Sequence, residues 1–269
     1  MTAPTKILLD TGPSERGWHR LERFLTCPLK YYWATTGERP RPGVPLVRGS
    51  IGHVGLAHMY ARMRARDAGD QADFDRYYQP SVAMNMVAQK FDAGRMMPGL
   101  LKLLLDYSQH YRTETFKVLE VEKGFETSFE GHRYTARADL VVKGADGRVW
   151  IYDHKITGRV ETKTLRRYAL SGQFFGLHHL GQRAYGRDFG GVKLNILGMD
   201  GKFVRSDLEP APFLLAAFPK VVAAAEARIA SLAGQPLAVW AAQAVPSEIS
   251  CYVPYGECEH FEACRWGHR

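Results

Sequence analysis

The sequence has no run of about 18 apolar residues, the shortest stretch that crosses a bilayer as a helix, so no membrane segment is expected. Met1 to Leu9 carries one lysine, Lys6, and no apolar core, so no secretory signal is expected there and the chain reads as cytoplasmic. Internal repeats and low-complexity linkers are also missing, which sets aside solenoids and tethered arrays. Cysteine is scarce, 4 in 269 residues, and acidic residues are outnumbered, 28 Asp+Glu against 36 Lys+Arg, for a formal net charge of +8. What remains is 45% hydrophobic and 24% charged, enough to bury a sizeable core, which excludes wholesale disorder. At roughly 150 residues per domain the length allows one large or two small domains. The positive excess favours an anionic partner, nucleic acid among them.

Trp18, Leu21, Phe24 and Leu25 recur at helical spacing after Ser14 and Glu15. Pro28 interrupts, Leu29 to Trp33 starts a second short turn, and Glu38 to Pro45 reads as a rigid loop. Helical patterns return at 48–66, carrying His53, Leu56, Ala57 and Tyr60, then at 72–91 and 98–116, with Pro98 in a first turn. The period then becomes two, through Val121, Lys123, Phe125, Thr127 and Phe129. Glu130-Gly131-His132 and Ala145-Asp146-Gly147 are turns separating strands at 134–142 and 149–156, so three consecutive antiparallel strands are predicted. A helix at 164–185, a strand at 192–199, a hairpin at Asp200-Gly201 into Phe203 and Arg205, and an alanine-rich helix at 211–233 follow. The tail shows no clear periodicity. Helices before and after a central mixed sheet predict one α/β domain.

The third strand reads Val149-Trp150-Ile151-Tyr152-Asp153-His154-Lys155. Side chains alternate faces along a strand, so Asp153 and Lys155 share a face about 7 Å apart at the backbone. On the preceding strand Asp139 interrupts an apolar run, a costly placement unless the carboxylate is paired or holds a cation. Two readings fit: a salt bridge to Lys155, or a site for a hard divalent ion with open water positions.

The order Gly52-His53, Asp139, Asp153-x-Lys155 and Gln173 resembles the PD-(D/E)XK nuclease superfamily, specifically its RecB-like branch. That branch includes CRISPR-associated RecB-like exonucleases, the AddB nuclease domain and phage relatives. The resemblance covers nearly the whole chain and implies a restriction-endonuclease-like core, a central mixed sheet flanked by helices. It divides one nuclease domain into a mainly helical part (1–117), the core (118–209), and a helix with a Cys-rich tail (210–269). It implies that His53, Asp139, Asp153 and the backbone carbonyl of His154 hold Mg²⁺ or Mn²⁺. Lys155 would position or deprotonate the attacking water and stabilise charge on the phosphate, and Gln173 would orient Lys155 or the scissile strand. The implied activity is metal-dependent hydrolysis of DNA to 5′-phosphate and 3′-hydroxyl products, by an exonuclease acting on single strands or ends. The implied setting is recombination, repair or CRISPR adaptation, with protein partners in a larger machine. Leu177 stands four residues after Gln173, where the family has a tyrosine, a departure at the DNA-positioning end of the site. Glu122 is a further acidic residue, read as assisting the site or as an exposed strand carboxylate. His154, His178 and His179 side chains are read as structural.

Cys27 stands alone near the start, whereas Cys251, Cys258 and Cys264 fall close together in the tail. Four thiolates suit zinc or an iron–sulfur cluster, and free structural thiols are the plainer alternative. Disulfides are not expected in a reducing compartment. The resemblance implies a [4Fe–4S] cluster on Cys27, Cys251, Cys258 and Cys264, joining the two ends of the chain, with zinc as the alternative. Lys163, Arg166, Arg167 and Tyr168, or Arg62, Arg64 and Arg66, would either track DNA or form solvated helix faces. Tyr31, Tyr32 and Trp33 would stack on unpaired bases or belong to the core around Cys27. Two other classes stay open: a DNA-binding subunit of a complex with little activity alone, and a zinc-stapled scaffold without catalysis.

Overall fold

The computed structural model describes residues 6–37, 41–245, 248–253 and 256–266. Part of the Met1–Leu9 segment, Glu38–Pro40 of the expected loop, and Tyr255 lie outside them. In chain order the elements are α1 (Trp18–Thr26), α2 (Pro28–Thr36), α3 (Val44–Asp67), α4 (Gln71–Arg76), α5 (Pro80–Lys90), α6 (Met97–His110), β1 (Lys117–Phe129), β2 (His132–Lys143) and β3 (Val149–Thr157). They continue with α7 (Thr162–Ala169), α8 (Gly172–Tyr185), β4 (Phe189–Gly198), β5 (Phe203–Leu208), α9 (Pro212–Leu232), α10 (Leu237–Ala241), α11 (Glu248–Cys251), β6 (Tyr252–Val253), β7 (Gly256–Glu257) and α12 (Phe261–Trp266).

Several expected boundaries moved for local reasons. Val44 and Pro45 open α3 instead of closing a loop, because proline's missing N–H and fixed φ suit a first turn. The pattern at 72–91 is two helices, broken ahead of Pro80, which starts α5. That at 164–185 is also two, since Ser171 caps a fresh helix by accepting a hydrogen bond from the Gln173 N–H (3.3 Å). The segment after Pro28 is a full helix, not a turn.

The main sheet has the order β1-β2-β3-β4-β5. β2 and β3 are antiparallel, β3 and β4 parallel, and β4 and β5 antiparallel, which makes the sheet mixed. At the β1–β2 turn both Glu130 (φ 49°) and Gly131 (φ 85°) take left-handed conformations, as a two-residue hairpin turn matching the strand twist requires.

Contacts divide the chain into two compact units, each drawn from three segments. The first combines Met1–Ser14, Pro42–Phe125 and Ala136–Leu215. Within it α8 lies on the sheet face that carries Ile151, so closely that a Cβ on Gly181 would stand 2.3 Å from Phe189. α3 and α6 cover the opposite face, where Ile51, Val54, Leu56, Leu100 and Leu103 bury against Leu140, Val142 and Tyr152. The second unit combines Glu15–Arg41, Glu126–Thr135 and Ala216–Arg269. Its core packs Phe218 against Trp18, Phe129 and Tyr134, mostly edge to face, and Trp240 against Phe24, Tyr31 and Tyr32. Buried Glu226 is paired with Arg20. No helix among the described residues is long and apolar enough to cross a membrane.

Candidate active site

The hydrogen-bonded ladder between β2 and β3 runs from Lys143↔Val149 to Leu140↔Tyr152. Beyond it the main-chain N–H of His154 is met by a side chain: it donates to Asp139 Oδ2 at 2.6 Å. The carboxylate that broke an apolar strand therefore replaces a main-chain acceptor where the ladder has ended. Asp153 and Lys155 project from the same face of β3, and Lys155 Nζ lies 2.7 Å from Asp153 Oδ2. Gln173, in the first turn of α8, closes a triangle. Its Nε2 donates to Asp153 Oδ1 (2.5 Å), and its Oε1 accepts from Lys155 Nζ (3.3 Å).

His53 reaches this group from α3. Its Nδ1 is 3.5 Å from Asp139 Oδ2, and its ring lies 6.4 Å from the His154 ring, centroid to centroid. The preceding residue explains the approach. A Cβ on Gly52 would stand 1.9 Å from Ile156 Cδ1, so glycine lets α3 lie this close to β3 without displacing that side chain. Glu122 is the further acidic member. It sits in β1 with φ 51°, a left-handed conformation that is strained for a non-glycine residue.

Electrostatics tie these groups together. Burial pushes the Asp139 carboxyl up to about 6, with Lys155 and the His154 N–H opposing. Burial also raises Asp153, where Lys155 opposes and Asp139 adds to the rise. Glu122 is pushed up to about 10, by burial first and by Asp139 next. Burial and then Lys155 draw His53 down to about 4. Burial alone would lower Lys155, but Asp153 and Asp139 outweigh it and raise the ammonium above its ordinary value. Three carboxyl groups thus share a buried region where their negative charge is only partly compensated, the condition that a divalent cation relieves.

The sequence pattern of the PD-(D/E)XK nuclease superfamily matches residues 18–265. The chain belongs to that superfamily. Two solved structures are also similar: SSO0001, at 14% identity and TM-score 0.33 over 81% of this chain and 86% of that one, and a "Putative exonuclease" from Eubacterium rectale, at 10% identity and TM-score 0.47 over 94% and 88%. A comparison with curated proteins found no match.

For a PD-(D/E)XK nuclease the placement of the expected residues is orderly. His53, Asp139, Asp153, Lys155, Gln173 and the main chain of His154 all come together in the first unit. Leu177 is buried in the core at 1% exposure. His178 and His179 bond the carbonyls of Leu208 and Leu215 (both 2.8 Å) and serve the structure. Arg62, Arg64 and Arg66 are engaged within the protein. Arg62 donates to the carbonyls of Phe74 and Tyr77, Arg64 pairs with Asp73, and Arg66 pairs with Asp67. Lys163, Arg166 and Arg167 are exposed on α7, while Tyr168 lies 5.6 Å from the Lys155 ammonium.

The four cysteines gather in the second unit. Cys27 sits between α1 and α2, and the Cys258 N–H donates to the Cys251 carbonyl (2.7 Å). Burial pushes the Cys264 thiol up; Trp33 opposes, and Cys27, Cys258 and Cys251 each add to the rise. Thiols are soft donors, the residue type that a zinc or iron–sulfur centre would draw on. Among the described residues no three His, Cys, Asp or Glu groups stand in an assembled metal cage, so both clusters are gatherings of donors. Tyr31 and Tyr32 pack half-buried against Trp240, and Trp33, also half-buried, lies by Cys264.

Proposed function

We propose that the protein is a Mg²⁺- or Mn²⁺-dependent deoxyribonuclease of the RecB-like branch, an exonuclease acting on single-stranded DNA or DNA ends. It releases 5′-phosphate and 3′-hydroxyl products. The observation that carries this reading is the Asp153–Lys155–Gln173 triangle set against Asp139 at the open end of the β2–β3 ladder. A bound divalent ion supplies a water of lowered pKa and neutralises phosphoryl charge. His53, Asp139, Asp153 and the His154 carbonyl would hold that ion, with Glu122 adding negative charge beside them. Lys155, kept charged by two carboxylates, would stabilise the phosphate oxygens, and Gln173 holds the Lys155 side chain in place. The basic face of α7 offers the phosphate path, in keeping with the net charge of +8.

The cysteine set supports a structural [4Fe–4S] cluster, with zinc as the alternative, tying Cys27 to the tail of the same unit. Because neither unit is contiguous in sequence, we take residues 1–269 as one working nuclease domain, cytoplasmic, within a recombination, repair or CRISPR-adaptation machine. The decisive experiment incubates end-labelled single- and double-stranded DNA with Mg²⁺ or Mn²⁺. Asp153→Ala and Lys155→Ala are each expected to lower the rate by ~100-fold or more while the protein stays folded. Equal degradation by parent and variants would refute the site. Tight DNA binding without cleavage would instead favour a binding subunit.

A further inference from the structure

His154, Asn195 and Arg205 lie side by side on β3, β4 and β5, in direct register across the sheet. Strand alternation puts this row on the face opposite Asp153 and Lys155. The Tyr60 ring of α3 stacks on His154 with centroids 5.7 Å apart, and Tyr107 of α6 closes over the row. His154 and Asn195 are 2% and 0% exposed.

Hydrogen-bond chemistry gives the row a direction. A guanidinium has donors only, so Arg205 Nε–H must meet an acceptor, and it meets Asn195 Oδ1 at 3.0 Å. The Asn195 amide nitrogen then faces the other way. It donates to the Tyr107 hydroxyl (2.9 Å) and approaches His154 Nδ1 at 2.7 Å. Two donors cannot share that contact, so Nδ1 accepts and the ring proton sits on Nε2. Arg205 is itself well anchored: it donates to the Tyr107 hydroxyl (2.7 Å), pairs with Glu114, and lies 3.7 Å over the Tyr111 ring.

A buried polar row confers little stability that an apolar one would not, since each group must be desolvated. What it adds is a fixed orientation. That orientation is imposed at the residue where the β2–β3 ladder has already ended, and whose main-chain N–H bonds Asp139. We propose that Arg205 and Asn195 are positioning residues: they fix His154 as the Nε2–H tautomer and, through its clamped ring, hold the His154 main chain against Asp139. The tautomer assignment stands on geometry alone, and its catalytic consequence rests on the nuclease reading above.

The test uses the full chain labelled with ¹⁵N-histidine, the His154 signals being assigned by their loss in His154→Gln. The wild type is expected to show a bare Nδ1 and a protonated Nε2; a protonated Nδ1 overturns the proposal. Asn195→Asp has no donor to offer, so it is expected to move the proton to Nδ1. With that flip, kcat is expected to drop ~10-fold or more, with KM for DNA little changed, as for other groups that orient metal-site residues. Arg205→Met, which frees the Asn195 amide to rotate, is expected to give both tautomers and guards against misfolding of the first variant. Tautomers unchanged in both variants, or a flip with unaltered kcat, overturn the positioning role. A wild type without nuclease activity refutes the nuclease reading and the catalytic half of the proposal together, while the ring spectra still decide the tautomer.

Discussion

Gly52 and Glu122 show how single residues shape the site. Gly52→Ala places a Cβ where Ile156 now sits, so it is expected to destabilise the protein by ~1–3 kcal/mol, read by chemical denaturation. Trimming Ile156 to Ala in the same chain should recover part of that loss, a coupling that a double-mutant cycle measures. Glu122, its carboxyl pushed up to about 10, is largely protonated near neutral pH without a cation, and glutamine is nearly isosteric with that form. Glu122→Gln should therefore leave metal-free stability almost unchanged and shrink the rise in melting temperature on adding Mg²⁺. Asp139, Asp153 and Lys155 stood out because a carboxylate inside an apolar strand and an Asp-x-Lys alternation are local patterns, whereas Gln173 was marked only by the family resemblance. Glu122 was half legible: its residue type was visible, but its positive φ was not. Tyr60, Tyr107 and Arg205 were invisible as a set, since a network built from α3, α6 and β5 leaves no spacing in the sequence. Asn195 did leave a signal, as a polar residue within the apolar run Leu194–Leu197.

Among elements, α8 carries the most consequence, because its first turn delivers Gln173 to Asp153 and Lys155. Ser171→Ala removes the side-chain cap of that turn and should cost ~1 kcal/mol by thermal or chemical unfolding. DNA hydrolysis should fall with it, more than the stability loss alone would produce, because Gln173 loses its anchored start. The strands were legible to within a few residues, since alternation and turn residues such as Glu130-Gly131 and Asp200-Gly201 mark both ends. The long helical patterns were less so. Apolar periodicity ran through Pro80 and Ser171, and only the proline's missing N–H and the serine's capping bond divide those stretches. The tail elements carry too few residues for any period to emerge.

For the molecule as a whole, acidity and metal binding are linked. Asp139 holds its proton more tightly when folded, so metal-free stability falls as pH rises from its ordinary 3.8 to about 6. Glu122 extends the same sign from 4.5 to about 10. His53, drawn down from 6.5 to about 4, acts oppositely, lowering stability as pH falls across that window. Above neutrality only the Glu122 contribution of these three continues. The metal-free melting temperature should therefore be lower at about pH 9 than at about pH 7, and Mg²⁺ should raise it more at the higher pH. Scanning fluorimetry with and without Mg²⁺ checks this, and an equal metal effect at both values would contradict the carboxylate cluster. The sequence pointed to one α/β fold with a mixed sheet. The three-segment weave of each unit was beyond it, because long-range contacts set such divisions.

That weave imposes a timetable on synthesis. The first unit has all its segments once Leu215 has left the ribosome, whereas the second still lacks Ala216–Arg269. Those 54 residues need ~3–10 s more at about 5–20 residues per second. During that interval Trp18, Phe24, Phe129 and Tyr134 are without Phe218 and Trp240, and Cys27 is without its three companions. The nascent chain would thus carry a first unit with all its segments while the second still exposes aromatic surface and a lone thiol, an interval in which chaperone contact would fall.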